Sequence, residues 1–254
     1  MKTGLKVKKP HLSVIIPAYN EVKRLPLTLI DIDKHLAAVK FPYEIIVVDN
    51  NSTDGTVAVA QRMASLMKNT KVIECTTQGK GAAVRKGMLE SQGEIRLFTD
   101  ADNSTSITHF FSMEHYFKEG YDVVIGSRDV KGARLEPPQP WYRRLLGNMG
   151  NLFIQLMLLS GIKDTQCGFK IFSERAVAVI FPKMTIVGWG FDVEALSLAR
   201  KQGFKIKEAP VTWKNSAFSL VKPSGYLAVL VEVVRIWWRF KRKRYALTPV
   251  ADGS

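Results

Sequence analysis

Along the first half of the chain, short β-branched runs alternate with segments whose apolar residues recur at helical spacing. The runs LSVIIPAY (12–19), YEIIVVD (43–49), TKVIEC (70–75), EIRLFTD (94–100) and YDVVIGS (121–127) predict strands. Residues 21–39, 54–67 and 79–91 predict helices, and 106–118 a shorter one. That alternation implies a mostly parallel sheet with helices on both faces. In such sheets ligands gather beyond the carboxyl ends of the strands. Those ends read PAYNE, VDNNSTDGT and TDADNST, so polar and acidic residues from separate segments fall on one edge.

The pattern changes after residue 127. A basic, proline-containing loop, SRDVKGARLEPPQPWYRR (127–144), leads into LLGNMGNLFIQLMLLSG (145–161), a stretch unusually apolar for a surface helix. DTQCGFKIF (164–172) and GWGFDVEALSLARKQG (188–203) follow, then a strand pattern in KIKEAPVTW (205–213). The last segment, GYLAVLVEVVRIWWRFKRKRYAL (225–247), predicts an apolar helix with two tryptophans and a basic end. Glu232 and Arg235 interrupt its apolar run, which suits a helix lying in a membrane interface better than one crossing it. Packing on its own domain or on a partner subunit is the alternative. No run of about 18 uncharged apolar residues occurs, so no membrane span is expected.

Composition narrows the partners. A chain of 254 residues can bury one sizeable core, and its 46% apolar content is ordinary. The net charge of +14 points to polyanions: nucleic acid, anionic lipid or phosphorylated substrates. Cys75 and Cys167, far apart in sequence, suggest neither a disulfide framework nor a zinc site, hence a reducing compartment. The start, MKTGLKVKKP, is basic but lacks the apolar stretch of a signal peptide.

Asp100 and Asp102 pose the chemical question. In extended backbone, positions i and i+2 face the same way, so two like charges would stand side by side. A hard divalent cation that shares its shell with a substrate phosphate relieves the repulsion. A polar turn after a strand is the simpler reading. Asp49 ends its own strand before a Ser/Thr/Asp cluster able to cap the next helix. It is either solvated or accepts hydrogen bonds from the base or ribose of a nucleotide. PAYNE adds backbone groups, the Tyr19 ring and the Glu21 carboxylate. QGKGAAVRKG opens a helix with two glycines and Lys80, offering free amides and positive charge to a diphosphate. It matches neither a P-loop nor a dinucleotide fingerprint.

Taken in order, SVIIPAYNE, EIIVVDNNSTDGT, GKGAAVRKG and FTDADNST resemble the inverting glycosyltransferases of family two, which have the GT-A fold. GSR (126–128), DTQCGFKIF and WGFDVE extend the likeness towards the dolichyl- or polyprenyl-phosphate sugar transferases, on their glucosyl side. The resemblance implies an α/β GT-A fold: a mostly parallel, Rossmann-like sheet with flanking helices and a C-terminal amphipathic, membrane-associated helix. It divides the chain into a basic tail (1–10), a catalytic domain (11–215) and a membrane-associating helix with a basic tail (216–254). Within the catalytic domain, 11–127 would bind the nucleotide and 128–215 the acceptor. The resemblance implies that Pro17, Ala18, Tyr19, Glu21, Val47 and Asp49 hold the nucleoside. Lys80, Asp100 and Ala101 would hold the diphosphate, and Asp100 with Asp102 a Mg²⁺ or Mn²⁺ ion. Arg128 would grip the acceptor phosphate, because the arginine fork fits phosphate oxygens. Arg143 is a second clamp, or else, like Arg144, a solvated or lipid-facing charge.

A phosphate monoester is already largely ionised near neutral pH, its second pKa being about 6, so the acceptor needs little help from a base. Asp164 is the candidate catalytic carboxylate, positioning the acceptor or taking a residual proton; capping a loop is its structural alternative. Asp192 and Glu194 stand behind it. Two positions depart from the family: Ser104 stands where Gln is frequent, and Ala217 where Lys is frequent, so that either Lys214 or Lys222 substitutes or that phosphate contact is absent. The expected activity is transfer of glucose from UDP-glucose to dolichyl or polyprenyl phosphate, on the cytoplasmic face of a membrane, without nucleic acid. Mannose transfer from GDP-mannose and a different acceptor are the nearest alternatives. A nucleotidyltransferase would carry a glycine-rich basic loop after its first strand, which PAYNEVKR is not. A basic RNA-binding or membrane scaffold would not set carboxylates on one edge, since they repel a polyanion.

Overall fold

The computed structural model of the chain describes residues 9–137, 141–214 and 223–247. Its centre is a seven-stranded sheet in the order β3-β2-β1-β4-β7-β5-β8. The strands are β1 (Leu12–Ala18), β2 (Tyr43–Asp49), β3 (Thr70–Glu74), β4 (Ile95–Thr99), β5 (Val123–Ser127), β7 (Phe169–Ser173) and β8 (Ile206–Pro210). Two short strands, β6 (Arg134–Glu136) and β9 (Thr212–Lys214), pair in parallel beside it. The first five strands lie where apolar runs end in turn residues. All seven residues of β1 are buried, as befits a parallel strand covered on both faces.

β7 is the departure from a purely parallel plan. It runs antiparallel to both β4 and β5 and separates them. Strand order reverses between β1 and β4, and the crevice at such a reversal is where α/β sheets take ligands. One sheet therefore spans both halves of the chain, and there is no structural seam at residues 127–128. β5 pairs only with strands from the second half.

Helices cover both faces. α1 (Leu25–Leu36) buries Leu25, Leu29, Ile32 and Leu36, one face of a 3.6-residue period. It begins later than residue 21 because Asn20 takes a left-handed φ of 55° and residues 22–24 form a turn. α2 (Thr56–Leu66), α3 (Lys80–Glu90), α4 (Thr108–Met113) and α5 (His115–Lys118) follow their strands. α6 (Trp141–Met157) starts before residue 145, α7 (Glu174–Ile180) follows β7 directly, and α8 (Phe191–Lys201) and α9 (Pro223–Lys241) complete the set.

The buried apolar residues form two layers. One lies with α1 and α4 and includes Leu12, Val14, Ile16 and Val47. The other lies with α3, α7 and α8 and includes Ile15, Val48 and Phe98. α9 is not a detached appendage, because Val229, Val233 and Ile236 belong to that second layer. Each such fully buried side chain contributes about 2 kcal/mol. The opposite face of α9 leaves Leu227, Val231, Val234 and Trp238 exposed, and on neighbouring α6 Met149, Leu152 and Leu156 are exposed too. Among the described residues no helix is long and apolar enough to cross a membrane.

Candidate active site

The carboxyl ends of β1, β2, β4 and β5 share one edge. At the end of β1, Pro17 and Ala18 are buried and Tyr19 is exposed. Asn20 N–H donates to Ser52 Oγ (3.0 Å) and Glu21 N–H to Thr56 Oγ1 (2.8 Å), tying this turn to the one after β2. The Glu21 carboxylate is gripped by Arg24, with Nε 2.6 Å from Oε2. Burial raises the Glu21 pKa, Arg24 works against that, and Asp102 and Asp100 push the same way as burial.

Asp49 is buried at the end of β2. Its Oδ2 accepts from Ser52 N–H at 3.2 Å, whereas Oδ1 has no hydrogen-bond partner among the described residues. Asn50, which the sequence reading passed over, clamps the facing loop: its amide donates to the carbonyls of Cys75 (3.1 Å) and Thr77 (2.7 Å) and accepts from Gly79 N–H (2.7 Å). Val47 does not reach the edge. It lies in the core between Ile16 of β1 and Val72 of β3, with its side chain fully buried.

β4 stops at Thr99, so strand alternation does not align Asp100 with Asp102; a turn carries them. Each acid meets a cation from a different helix region. Asp100 Oδ1 lies 2.5 Å from Lys80 Nζ, and Asp102 Oδ2 lies 3.8 Å from Arg24 Nη1. Asp102 Oδ1 also accepts from Ser104 N–H at 3.0 Å. Ser104 Oγ is buried without a hydrogen-bond partner among the described residues, and the buried Ala101 carbonyl accepts from Thr28 Oγ1 (2.7 Å). A Cβ on Gly168, just before β7, would collide with the Asp100 carboxylate, so the second half of the chain presses directly on this acid.

The start of α3 differs from expectation. Its amides are not free: Gly81 N–H (2.9 Å) and Ala82 N–H (3.3 Å) both donate to the Val187 carbonyl. Gly79, at φ 131°, has no room for a Cβ against that same carbonyl. Attraction for an anion thus rests on the Lys80 side chain, which lies 5.3 Å from the Trp189 ring centroid. Burial alone would lower the Lys80 pKa; Asp100, Asp192 and Asp102 reverse this and raise it.

At the end of β5, Arg128 forms a two-pronged pair with Asp164: Nε to Oδ2 at 2.7 Å and Nη2 to Oδ1 at 2.9 Å. Arg128 N–H adds a third bond to Oδ2 (2.9 Å), and Gln166 N–H a fourth contact to Oδ1 (3.3 Å). Burial alone would raise the Asp164 pKa, but the Arg128 guanidinium and its hydrogen bonds hold it below the ordinary carboxylate value. A saturated carboxylate of that kind orients an arginine and does not take up a proton. Glu208 of β8 in turn accepts from Lys163 N–H (2.9 Å) and Asp164 N–H (3.0 Å), fixing the loop that presents Asp164.

Asp192 and Glu194 prove to be internal supports. Asp192 pairs with the fully buried Lys170 at 2.7 Å, and Glu194 accepts from Thr185, Ile186 and Tyr245. The Arg143 and Arg144 side chains, Ala217 and Lys222 lie outside the described residues. Lys214 is exposed on β9, its amide donating to the Ser104 carbonyl at 2.7 Å.

Sequence signals for the overlooked residues vary. Arg24 stands three residues after Glu21, a legible charge spacing. Asn50 follows a strand end in a turn-rich run. Glu208 carries no such mark.

A divalent cation fits this edge chemically. Among the described residues, three carboxylates (Glu21, Asp100 and Asp102) gather here with Arg24 and Lys80 in ion pairs. Among the described residues no group of three or more His, Cys, Asp or Glu side chains forms a ready cage. Two carboxylates suit an ion that keeps phosphate and water oxygens in its shell.

Known proteins agree with this reading of the fold. A dolichyl-phosphate beta-glucosyltransferase of Dictyostelium discoideum is 36% identical over 246 residues, covering 91% of this chain and 75% of the relative. Its namesake from Drosophila melanogaster is 34% identical, with 91% and 75% covered. Among solved structures, mannosyl-3-phosphoglycerate synthase from Rubrobacter xylanophilus superposes with a TM-score of 0.70 at 17% identity, covering 96% of this chain and 78% of that one. Glucosyl-3-phosphoglycerate synthase from Mycobacterium tuberculosis, solved with Mn²⁺, UDP and glucosyl-3-phosphoglycerate, gives 0.66 at 18% identity, covering 96% and 83%. The architecture is that of the GT-A glycosyltransferases. Residues 13–181 match the family described as Glycosyl transferase family 2, and the chain belongs to that family.

Proposed function

We propose that the protein transfers glucose, with inversion, from UDP-glucose to a dolichyl or polyprenyl phosphate at the cytoplasmic face of a membrane, to which it attaches peripherally. The observation that carries this reading is the meeting, on one sheet edge, of an acidic cluster with unfilled hydrogen-bonding capacity and an arginine held ready by a buried carboxylate. The sugar and the acceptor are those named for the relatives at 36% and 34% identity.

Asp49 is the acceptor for a nucleoside N–H or hydroxyl, its buried Oδ1 having no hydrogen-bond partner among the described residues; the exposed Tyr19 comes directly after Ala18, the register partner of Asp49. Lys80 and Arg24 bring positive charge to the diphosphate. Asp100 and Asp102 would hold Mg²⁺ or Mn²⁺, which when bound neutralises charge on the departing UDP. Arg128 takes the acceptor phosphate with the part of its fork that Asp164 leaves over. A phosphate oxygen forms the new bond to the anomeric carbon while the bond to the diphosphate oxygen breaks, and UDP departs with the electron pair. The acceptor is already an anion, so orientation does what a general base does elsewhere. This accords with the locked state of Asp164. The exposed apolar residues of α6 and α9 would rest on the bilayer. Arg242 and Arg244 stack 4.1 and 4.8 Å from the Trp238 centroid, where they would meet lipid phosphate. Two free cysteines suit a reducing compartment.

The test is a donor panel (UDP-glucose, UDP-N-acetylglucosamine, GDP-mannose) offered with dolichyl phosphate and Mn²⁺. The expected product is organic-soluble, mild-acid-labile glucosyl lipid from UDP-glucose. Water-soluble glucoside alone would overturn the acceptor, and mannosyl lipid alone would overturn the donor.

A further inference from the structure

Of the two charged residues that interrupt the apolar run of α9, Glu232 stands out because the membrane role proposed for the helix leaves it without a task. Glu232 does not face open solvent. It is partly buried, and its Oε2 accepts from Gly190 N–H at 2.6 Å. Neither Gly188 nor Gly190 has space for a Cβ, because the Glu232 side chain fills it. The segment held in this way ends in the groups that build the donor side. The Val187 carbonyl takes the first amides of α3, and the Trp189 ring lies beside Lys80, which reaches Asp100. The other end of the segment is fixed separately, by Glu194 on the amides of Thr185 and Ile186, with Tyr245 from beyond α9 completing the bond set at 2.7 Å.

We propose that Glu232 is a positioning residue for the donor site: it anchors the 187–190 segment to α9, and through Val187 and Trp189 sets where Lys80 stands. The inference rests on the reading of Lys80 as a diphosphate contact. Its consequence is that α9 does two jobs at once, since the helix turning its apolar face outward is the same one that holds the donor segment from behind. Placement of α9 and affinity for the nucleotide are then linked, and by reciprocity donor binding tightens the seat of α9.

The experiment uses the full chain with three variants, E232A, E232Q and E232D. Glutamine keeps an acceptor oxygen at the same reach. Aspartate keeps the charge but withdraws it by one methylene, and serves as the positional variant should E232A fail to fold. Two readouts are taken. The first is amide hydrogen exchange without nucleotide. E232A and E232D should speed exchange at Gly81, Ala82 and Gly190 by about tenfold or more, with α2 amides unchanged, and E232Q should stay near the parent. The second is kinetic. E232A and E232D should raise KM for UDP-glucose about tenfold while KM for the lipid acceptor stays within about twofold, and E232Q should restore the parent value. Unchanged exchange at Gly81 and Ala82 would overturn the proposal, as would parallel rises in both KM values together with a general loss of protection. Altered exchange in a protein whose parent form binds no UDP would sink the donor reading and leave the anchoring intact.

Discussion

Two groups of aspartates occupy the same edge of the sheet and are in opposite states. Around β1, β2 and β4, Asp49 keeps an oxygen and Ser104 a hydroxyl with no hydrogen-bond partner among the described residues, while Asp100 pairs with Lys80 and Asp102 lies near Arg24. At the end of β5, Asp164 accepts from three Arg128 groups and from Gln166. In composition the two are alike: an aspartate near the edge with an arginine or lysine nearby. What separates them is vacant bonding capacity. On the proposed reading, the first group receives a ligand and the second holds a side chain that does.

The sharpest way to break that contrast is Asp102→Asn, which keeps an acceptor for Ser104 N–H and removes the charge. Turnover with Mn²⁺ should fall by about a hundredfold or more, with the thermal midpoint nearly unchanged. A variant that melts early yet turns over normally would put Asp102 in the structural group. Asp164→Asn should behave the other way round. Leaving Arg128 partly buried and unmatched should cost about 2–3 kcal/mol in denaturant melts and raise KM for the acceptor lipid about tenfold.

The pH dependence carries the same signature. The folded-state pKa of Asp164 is depressed, so its contribution is in place above the unfolded carboxylate value of about 4 and is lost as pH falls through the lower folded value. Asp164→Asn should therefore flatten the acid limb of the stability curve. Glu208→Gln, which leaves one of two amide donors facing an NH₂ group, should cost about 1 kcal/mol and a few-fold in acceptor KM. The smallest effect belongs to His11, at the far edge, where Glu94 and Glu114 outweigh burial and raise its pKa. Its contribution is full below the ordinary histidine value and lost as pH rises through the folded one. His11→Gln should remove less than about 1 kcal/mol of stability at low pH and leave KM untouched.

The legible part of this molecule was what local periodicity encodes. Alternating runs gave β1 to β5, and their turn-rich ends brought Asp49, Asp100 and Arg128 to one edge. What escaped depends on distant partners. FKIF is too short to announce an antiparallel strand, and its insertion between β4 and β5 is settled by two other segments of the chain. The glycines at the start of α3 were visible, but not that Val187, over a hundred positions later, would occupy the amides of Gly81 and Ala82. Val47 was placed in the site by likeness alone, and the ladder on both sides of it explains why its side chain stays in the core. The role of Asp164 turned on Arg128, a partner no spacing rule links to it.

The placement of β5 has a bearing on biogenesis. Its neighbours in the sheet are β7 and β8, both translated after it, and the free side of β4 likewise waits for β7. While the ribosome is still making α6, three strand edges hang open and Asp100 lacks the backbone at Gly168 that will confine it. A nascent chain stalled there would be a client for chaperones. The sheet is therefore completed late in translation, when β7 enters the gap between β4 and β5.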